Sequence, residues 1–137
     1  RMDMIMSAKV GMEKWKNYMK THDGDILSDL LADDVVFLSP VVHTPQVGKE
    51  ITLLYLNSAG KVLGDANFQY VREVIDGDTA VLEFTNESEG IAINGVDIIR
   101  FNDEGRITEF KVMVRPLKAI NKLHQKMGEM LQKMASQ

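Results

Sequence analysis

The fold of this chain is decided by residues 68–86, which read FQYVREVIDGDTAVLEFTN. Alternating side chains flank Asp76-Gly77-Asp78, and an Asp-Gly pair tolerates the positive φ angles that tight hairpin turns require. The segment therefore predicts two antiparallel strands joined by a short turn. Two further strands are predicted at residues 91–101, with a bulge at Asn94-Gly95, and at residues 106–114.

Helical periodicity precedes and follows these strands. The first helix is indicated by apolar residues that recur every three or four positions: Ala8, Met12, Trp15 and Met19. Other predicted elements are a glycine stop at Gly24, a short helix capped by Asp25, a strand at residues 35–38, a helix from Gly48 and a long helix after Pro116. Helices first and strands afterwards favour the α+β class. We expect a single domain over residues 1–137, with a C-terminal helical extension at about residues 116–135.

The composition narrows the classes of partner and site. The 137 residues include 16 basic and 20 acidic side chains, a net charge of -4, so we expect no binding to nucleic acid or to an anionic membrane. Without cysteine the chain has neither disulfides nor thiolate ligands, and its three histidines are scattered. We therefore expect no metal and no cofactor. The absence of a visible signal peptide predicts a cytoplasmic location.

Three segments together resemble a known superfamily. They are Gly24-Asp25 followed by residues 30–37 (LLADDVVF), the loop from Ser39-Pro40 to Gly48-Lys49-Glu50, and residues 97–102 (DIIRFN) leading into Gly105-Arg106-Ile107. Their order and spacing are similar to the superfamily named after nuclear transport factor 2, in its SnoaL-like and ketosteroid-isomerase-like branch. The resemblance extends over about residues 8–116.

This resemblance implies a cone-shaped fold in which a strongly bent antiparallel sheet wraps around the N-terminal helices. The mouth of the cone would be a pocket for a small hydrophobic ligand. Members of the superfamily often form homodimers through the outer face of the sheet. The long C-terminal helix is not part of the isomerase pattern, so its role has to be argued separately.

Asp97 is the strongest candidate for chemistry. Strand alternation places it on one face with apolar residues such as Ile99. A carboxyl group in apolar surroundings is disfavoured as an anion, so its pKa rises and the acid can donate a hydrogen bond to a developing oxyanion. The resemblance implies this role for Asp97, as in ketosteroid isomerase. The alternative is a strand aspartate that is solvated or paired with Arg72, Arg100 or Arg115.

The other isomerase positions are only partly filled. The family's general base is an aspartate just before the proline that follows the first strand, and Ser39 stands there. The family's oxyanion tyrosine falls near Asn17, with Trp15 and Tyr18 as ring-bearing neighbours. His43 lies in the loop at the mouth of the cone, and histidine readily exchanges a proton near neutral pH, so it is a candidate substitute base. An exposed loop histidine is the alternative.

Three functions follow from these patterns. The first is a cofactor-independent isomerase, cyclase or lyase, in which Asp97 polarises a carbonyl group and His43 moves a proton. The second is a non-catalytic module that binds a hydrophobic molecule. The third is a dimeric protein-interaction module with a vestigial pocket. For a small-molecule ligand we predict contacts from five residues: Trp15, Tyr18, Ser39, Tyr55 and Ile99.

Overall fold

The computed structural model describes residues 4–63 and 67–135, which form four helices and six strands. In chain order the elements are α1 (Met4–Thr21), α2 (Gly24–Leu30), β1 (Leu31–Leu38), β2 (Gln46–Val47), α3 (Lys49–Leu63), β3 (Gln69–Asp76), β4 (Thr79–Ser88), β5 (Ile91–Phe101), β6 (Ile107–Arg115) and α4 (Leu117–Ala135). The first strand is longer than predicted, because it begins directly at the end of α2.

The strands form one curved, unclosed sheet in the order β2-β1-β6-β5-β4-β3. The helices pack on its concave face, so the predicted α+β architecture with an additional C-terminal helix is confirmed. Every neighbouring pair is antiparallel except β1 and β6, which run parallel. No hairpin turn joins β1 to β6, so their relative direction is not fixed by a local signal.

The alternation along β5 decides which side chains face the helices. Ile93, Gly95, Asp97, Ile99 and Phe101 are buried, and the residues between them are more exposed. The same pattern in β4 buries Ala80, Leu82 and Phe84. Asp97 therefore lies on the concave face, among the apolar residues that form the core.

Gly95 has a different role from the predicted one. The pairing of β5 with β4 and β6 is continuous through residues 94 and 95, so the predicted bulge is wrong; the irregularity lies between Arg100 and Phe101. A Cβ atom at Gly95 would lie 2.4 Å from Cζ of Phe84 and 2.7 Å from the carbonyl oxygen of Met113. Glycine at this position therefore allows the Phe84 ring to pack directly on the backbone of β5.

The junction between α1 and α2 also differs from the prediction. The first helix ends at Thr21, and His22 adopts a left-handed conformation with φ of 54°. Asp23, rather than Asp25, caps α2, because its extended backbone brings its carboxylate to the Asp25 N–H at 2.9 Å. Gly24 is the first residue of α2 and therefore does not terminate α1.

The C-terminal helix α4 is attached to the β4–β5 end of the sheet. Ala119 is fully buried in a cluster with Phe84 and Ile93. The ammonium groups of Lys122 and Lys126 lie 2.5 and 2.9 Å from the same carboxylate oxygen of Glu89, in the turn between β4 and β5. These contacts hold the first half of α4 against the open end of the curved sheet.

No helix within residues 4–63 and 67–135 is long and apolar enough to span a membrane. On the convex face of the sheet, Val74 and Met113 are about half exposed, at 54% and 50%. Homodimer formation through this face stays a prediction.

Candidate functional site

A cavity of about 260 Å³ lies between the concave face of the sheet and helices α1, α3 and α4. Most of its lining is apolar or aromatic. Both the helices and the sheet side contribute aromatic rings, which are those of Trp15, Tyr18, Phe37, Tyr55, Phe68, Tyr70, Phe84 and Phe110. No lysine or arginine is found among the described residues that line the cavity. The cavity therefore suits an uncharged, largely apolar molecule.

Asp97 lines this cavity from β5, and the residue is 6% exposed. The hydroxyl group of Tyr70, from β3, donates a hydrogen bond to Oδ2 of Asp97 at 2.7 Å. That hydroxyl accepts a hydrogen bond from the indole N–H of Trp15, from α1, at 3.0 Å. The three residues form a chain of hydrogen bonds, Trp15 to Tyr70 to Asp97, and all three line the cavity.

Desolvation controls the protonation of this site. Burial raises the pKa of Asp97 from 3.8 to about 7, and the hydrogen bond from Tyr70 opposes that rise. Burial, followed by the charge of Asp97, raises the pKa of Tyr70 well above its usual value, so the phenol keeps its proton. Near neutral pH a substantial fraction of Asp97 is therefore a neutral carboxylic acid that can donate its own proton.

The arginines that were alternative partners of Asp97 lie elsewhere. Arg72 pairs with Glu83, and Arg100 with Asp78. The guanidinium group of Arg115 donates to the side-chain oxygen of Asn94 at 3.3 Å. None of these contacts involves Asp97, whose carboxyl group points to the opposite face of the sheet.

A second polar position lies on the helical side of the cavity. The hydroxyl group of Tyr18 donates to the side-chain oxygen of Asn57 at 2.8 Å, and burial raises the pKa of Tyr18. Ser39 also lines the cavity, but its Oγ accepts the backbone N–H groups of Val41 and Val42 at 3.0 and 3.4 Å. The Ser39 hydroxyl thus stabilises the turn of its loop.

The structure brings together five of the seven predicted site residues. Trp15, Tyr18, Ser39, Tyr55 and Asp97 all line the cavity. Their roles in binding or catalysis stay predictions.

The other two predicted residues lie outside the cavity lining. Ile99 is fully buried within the hydrophobic core, where neighbouring side chains cover it. His43 is exposed in the loop between β1 and β2. Ile99 is thus covered by the core and His43 points into solvent, and neither residue lines the cavity.

Sequence reasoning missed Tyr70 and His124. Tyr70 belongs to a strand with little alternation in burial, so its inward direction is set by a register shift between Tyr70 and Arg72. His124 is exposed, but it also lines the cavity together with Leu123 and Met127 of α4. The spacing of these three residues predicts a shared helix face but not what that face covers.

The raised pKa of Asp97 predicts a pH-dependent stability. Because the folded state holds this proton more tightly than an unfolded chain, the stabilisation is complete below pH 3.8 and is lost as the pH rises through about 7. Asp97→Asn cannot titrate. We expect the free energy of unfolding of the wild type, relative to Asp97→Asn, to fall by on the order of 4 kcal/mol across this range. Urea unfolding at several pH values measures the difference, with the exposed Asp34→Asn as the control for the loss of one charge. A difference in the free energy of unfolding that does not change with pH would contradict the raised pKa of Asp97.

The hydrogen bond from Tyr70 predicts a second effect. Tyr70→Phe removes the donor that favours the carboxylate, so the pKa of Asp97 should rise above about 7. Carbon-detected NMR titration of the side-chain carboxyl group measures this pKa. Tyr55→Phe is the matched control, because Tyr55 also lines the cavity but stacks on Phe37 instead. An unchanged or lowered pKa in Tyr70→Phe would show that the contact does not control the acid.

Comparisons with known proteins agree with this architecture. A steroid delta-isomerase from Pseudomonas aeruginosa is 34% identical to this chain, with 96% of each chain covered and a TM-score of 0.89. A protein with a cystatin-like fold from Silicibacter pomeroyi is 28% identical over 87% of this chain and 83% of its own, with a TM-score of 0.79. An NTF2-like protein of unknown function from Mesorhizobium loti, 20% identical over 85% of this chain and 97% of its own, shares the fold with a TM-score of 0.70.

The sequence comparisons identify the family. A search of the curated proteins finds no match. Residues 12–110, more than half of the chain, match the SnoaL-like domain family. With its curved sheet, its helices on the concave face and this match, the chain belongs to the SnoaL-like domain family, within the NTF2-like superfamily.

Proposed function

We propose that this protein binds a neutral, apolar small molecule in the cavity and holds the single oxygen atom of that ligand through the acid group of Asp97. The observation that carries this proposal is a buried carboxyl group, hydrogen-bonded by Tyr70, in a cavity with an otherwise largely apolar lining. Since Tyr70 donates to Oδ2, the acid proton belongs on Oδ1. The ligand oxygen then accepts a hydrogen bond from that acid proton.

Charge supports the restriction to neutral ligands. A carboxylate ligand would lose its hydration without meeting a cation, because the described lining contains neither lysine nor arginine. It would also be repelled by the fraction of Asp97 that is ionised near pH 7. A ketone or an alcohol has no such penalty and needs only one hydrogen-bond donor.

Isomerase-type catalysis is the second candidate function. It is favoured by the 34% identity to a protein described as a steroid delta-isomerase. A donor aimed at a carbonyl oxygen stabilises the enolate that forms when a neighbouring carbon loses a proton. The proton acceptor has to be a different residue from the family's base, because Ser39 stands at that position. His124 lines the cavity, whereas His43 lies in the exposed loop, so we assign the proton transfer to His124.

The binding proposal predicts the behaviour of two probe molecules. The chain has one tryptophan, Trp15 in the cavity wall, so its fluorescence reports binding. Cyclohexanone should bind to the wild type, and cyclohexanecarboxylate should not. Asp97→Leu, which keeps the bulk but removes the donor, should weaken ketone binding about tenfold. Binding should also weaken as the pH rises through about 7.

Three comparisons distinguish the loss of the Asp97 hydrogen-bond donor from a general change in packing or charge. The exposed Asp34→Asn should bind the ketone as the wild type does. Asp97→Asn keeps a neutral donor in the cavity and should retain most of the affinity. Equal ketone affinity in the wild type and Asp97→Leu would refute the proposal, as would preferential binding of the carboxylate. A protein that binds neither probe in the cavity would favour the interaction-module alternative.

Catalysis has a separate readout. In deuterated water, an isomerase-type site should accelerate exchange of the protons next to the carbonyl group of cyclohexanone, which NMR detects directly. We expect Asp97→Leu and His124→Gln to lower this exchange about a hundredfold or more, and His43→Gln to leave it unchanged. Binding without accelerated exchange would assign the cavity to non-catalytic ligand binding. A loss of exchange in His43→Gln alone would return the proton transfer to His43.

A further inference from the structure

The glycine inside α1 has a close neighbour that accounts for it, whereas the glycine inside α3 has its neighbours at ordinary contact distance. A Cβ atom at Gly11 in α1 would lie 2.2 Å from the ring of Phe101. One at Gly60 in α3 would lie 3.7 Å from Nδ1 of His22, in ordinary contact. Packing therefore requires glycine at the first position and leaves room for little more than a methyl group at the second.

Gly128 in α4 has no such neighbour. An added Cβ atom there would meet nothing within 4 Å, although the residue lies in the interior of a 19-residue helix. Glycine is the least favourable residue in a helix interior after proline, because it loses the most backbone freedom on folding. The packing of the protein thus gives no reason for a glycine at this position. Gly128 does, however, line the cavity.

The position of Gly128 within α4 also distinguishes it from the glycines of α1 and α3. Before it, the helix is held by the buried Ala119 and Leu123 and by the contacts of Lys122 and Lys126 with Glu89. After it, Leu131 also belongs to the cavity lining. The helix therefore forms the outer wall of the cavity on both sides of Gly128. Gly128 is itself exposed, so the space beside it lies at the open side of the cavity and not in the packed core.

We infer that Gly128 is a specificity-determining residue that lets the apolar tail of the ligand lie directly against the backbone of α4. This inference rests on the proposed function and adds a substrate class to it: a neutral molecule with one oxygen at the Asp97 end and an extended apolar chain at the α4 end. Glycine is the residue that permits such a close approach of backbone and ligand. The side chain of any larger residue at position 128 would occupy the space of the tail.

A series of cyclohexanones tests this inference. The probes carry a linear alkyl chain, from methyl to octyl, on the ring carbon opposite the carbonyl group, and the fluorescence of Trp15 reports their binding. For the wild type we expect affinity to rise about fourfold with each methylene group that reaches α4. In Gly128→Phe the methyl probe should bind as in the wild type, while the octyl probe should bind at least about tenfold more weakly.

Three matched variants keep the test specific. Gln132→Phe places the same ring on an exposed position of α4 outside the cavity lining, and should preserve the wild-type series. Gly128→Ala adds one methyl group where the tail meets the backbone of α4, so it should lose part of the long-chain gain, but less than the larger variants. Gly128→Leu should fall between Ala and Phe, and it replaces Gly128→Phe if that variant does not fold.

The outcomes separate this inference from the proposed function. Identical chain-length series in the wild type and the Gly128→Phe or Gly128→Leu variant would overturn the inference alone, as would a wild-type series without any gain in affinity. A complete loss of long-chain binding in Gly128→Ala would also overturn it, because backbone freedom and not space would then be the requirement. Failure of the methyl probe to bind to the wild type would overturn the proposed function itself, and this inference with it.

Discussion

The removal of one carboxyl group from water is the constraint on which this site depends. Asp97 lies on the buried face of β5, opposite Leu82 on β4 and Val112 on β6. An ionised carboxylate there would lose most of its hydration, and a neutral acid still needs a partner for each oxygen. Tyr70 satisfies one oxygen, and Trp15 in turn satisfies Tyr70. The hydrogen-bond chain thus links α1, β3 and β5 through buried polar groups.

The curvature of the sheet makes this arrangement possible. Trp15, Tyr70 and Asp97 are separated by up to 82 positions in the sequence, which is the difference between 97 and 15. On a flat sheet the side chains of β3 and β5 would point in parallel directions with β4 between them. In the bent sheet the inward directions converge, so the hydroxyl group of Tyr70 meets the carboxyl group of Asp97 at 2.7 Å. The large ring of Phe84, on the intervening strand, fits because Gly95 has no side chain.

The fold could be predicted from the sequence because its signals are local. The Asp-Gly turn after β3 and the alternation along β5 indicate the hairpin and the buried face of Asp97 without any knowledge of distant contacts. The inward direction of Tyr70 could not be predicted, because a register shift between strands determines it. The family pattern predicts a base at His43, because it places the loop of this residue at the mouth of the cone. Whether a loop side chain points inwards depends on backbone angles that composition does not encode.

The energetics of position 97 argue for function over structure. Apolar side chains in place of the whole hydrogen-bond chain of Trp15, Tyr70 and Asp97 would pack without desolvating a polar group, and replacing buried polar partners together by apolar groups of similar shape is often neutral or stabilising. The buried acid and its hydrogen-bond partners therefore add little stability at neutral pH over an apolar set of similar shape. Gly128 is a similar case, since alanine would favour the helix without a steric clash. Natural proteins depart from local optimality mainly at functional sites. Two such departures, one at the polar end of the cavity and one in its outer wall, are more simply explained by a shared ligand than by two independent structural reasons.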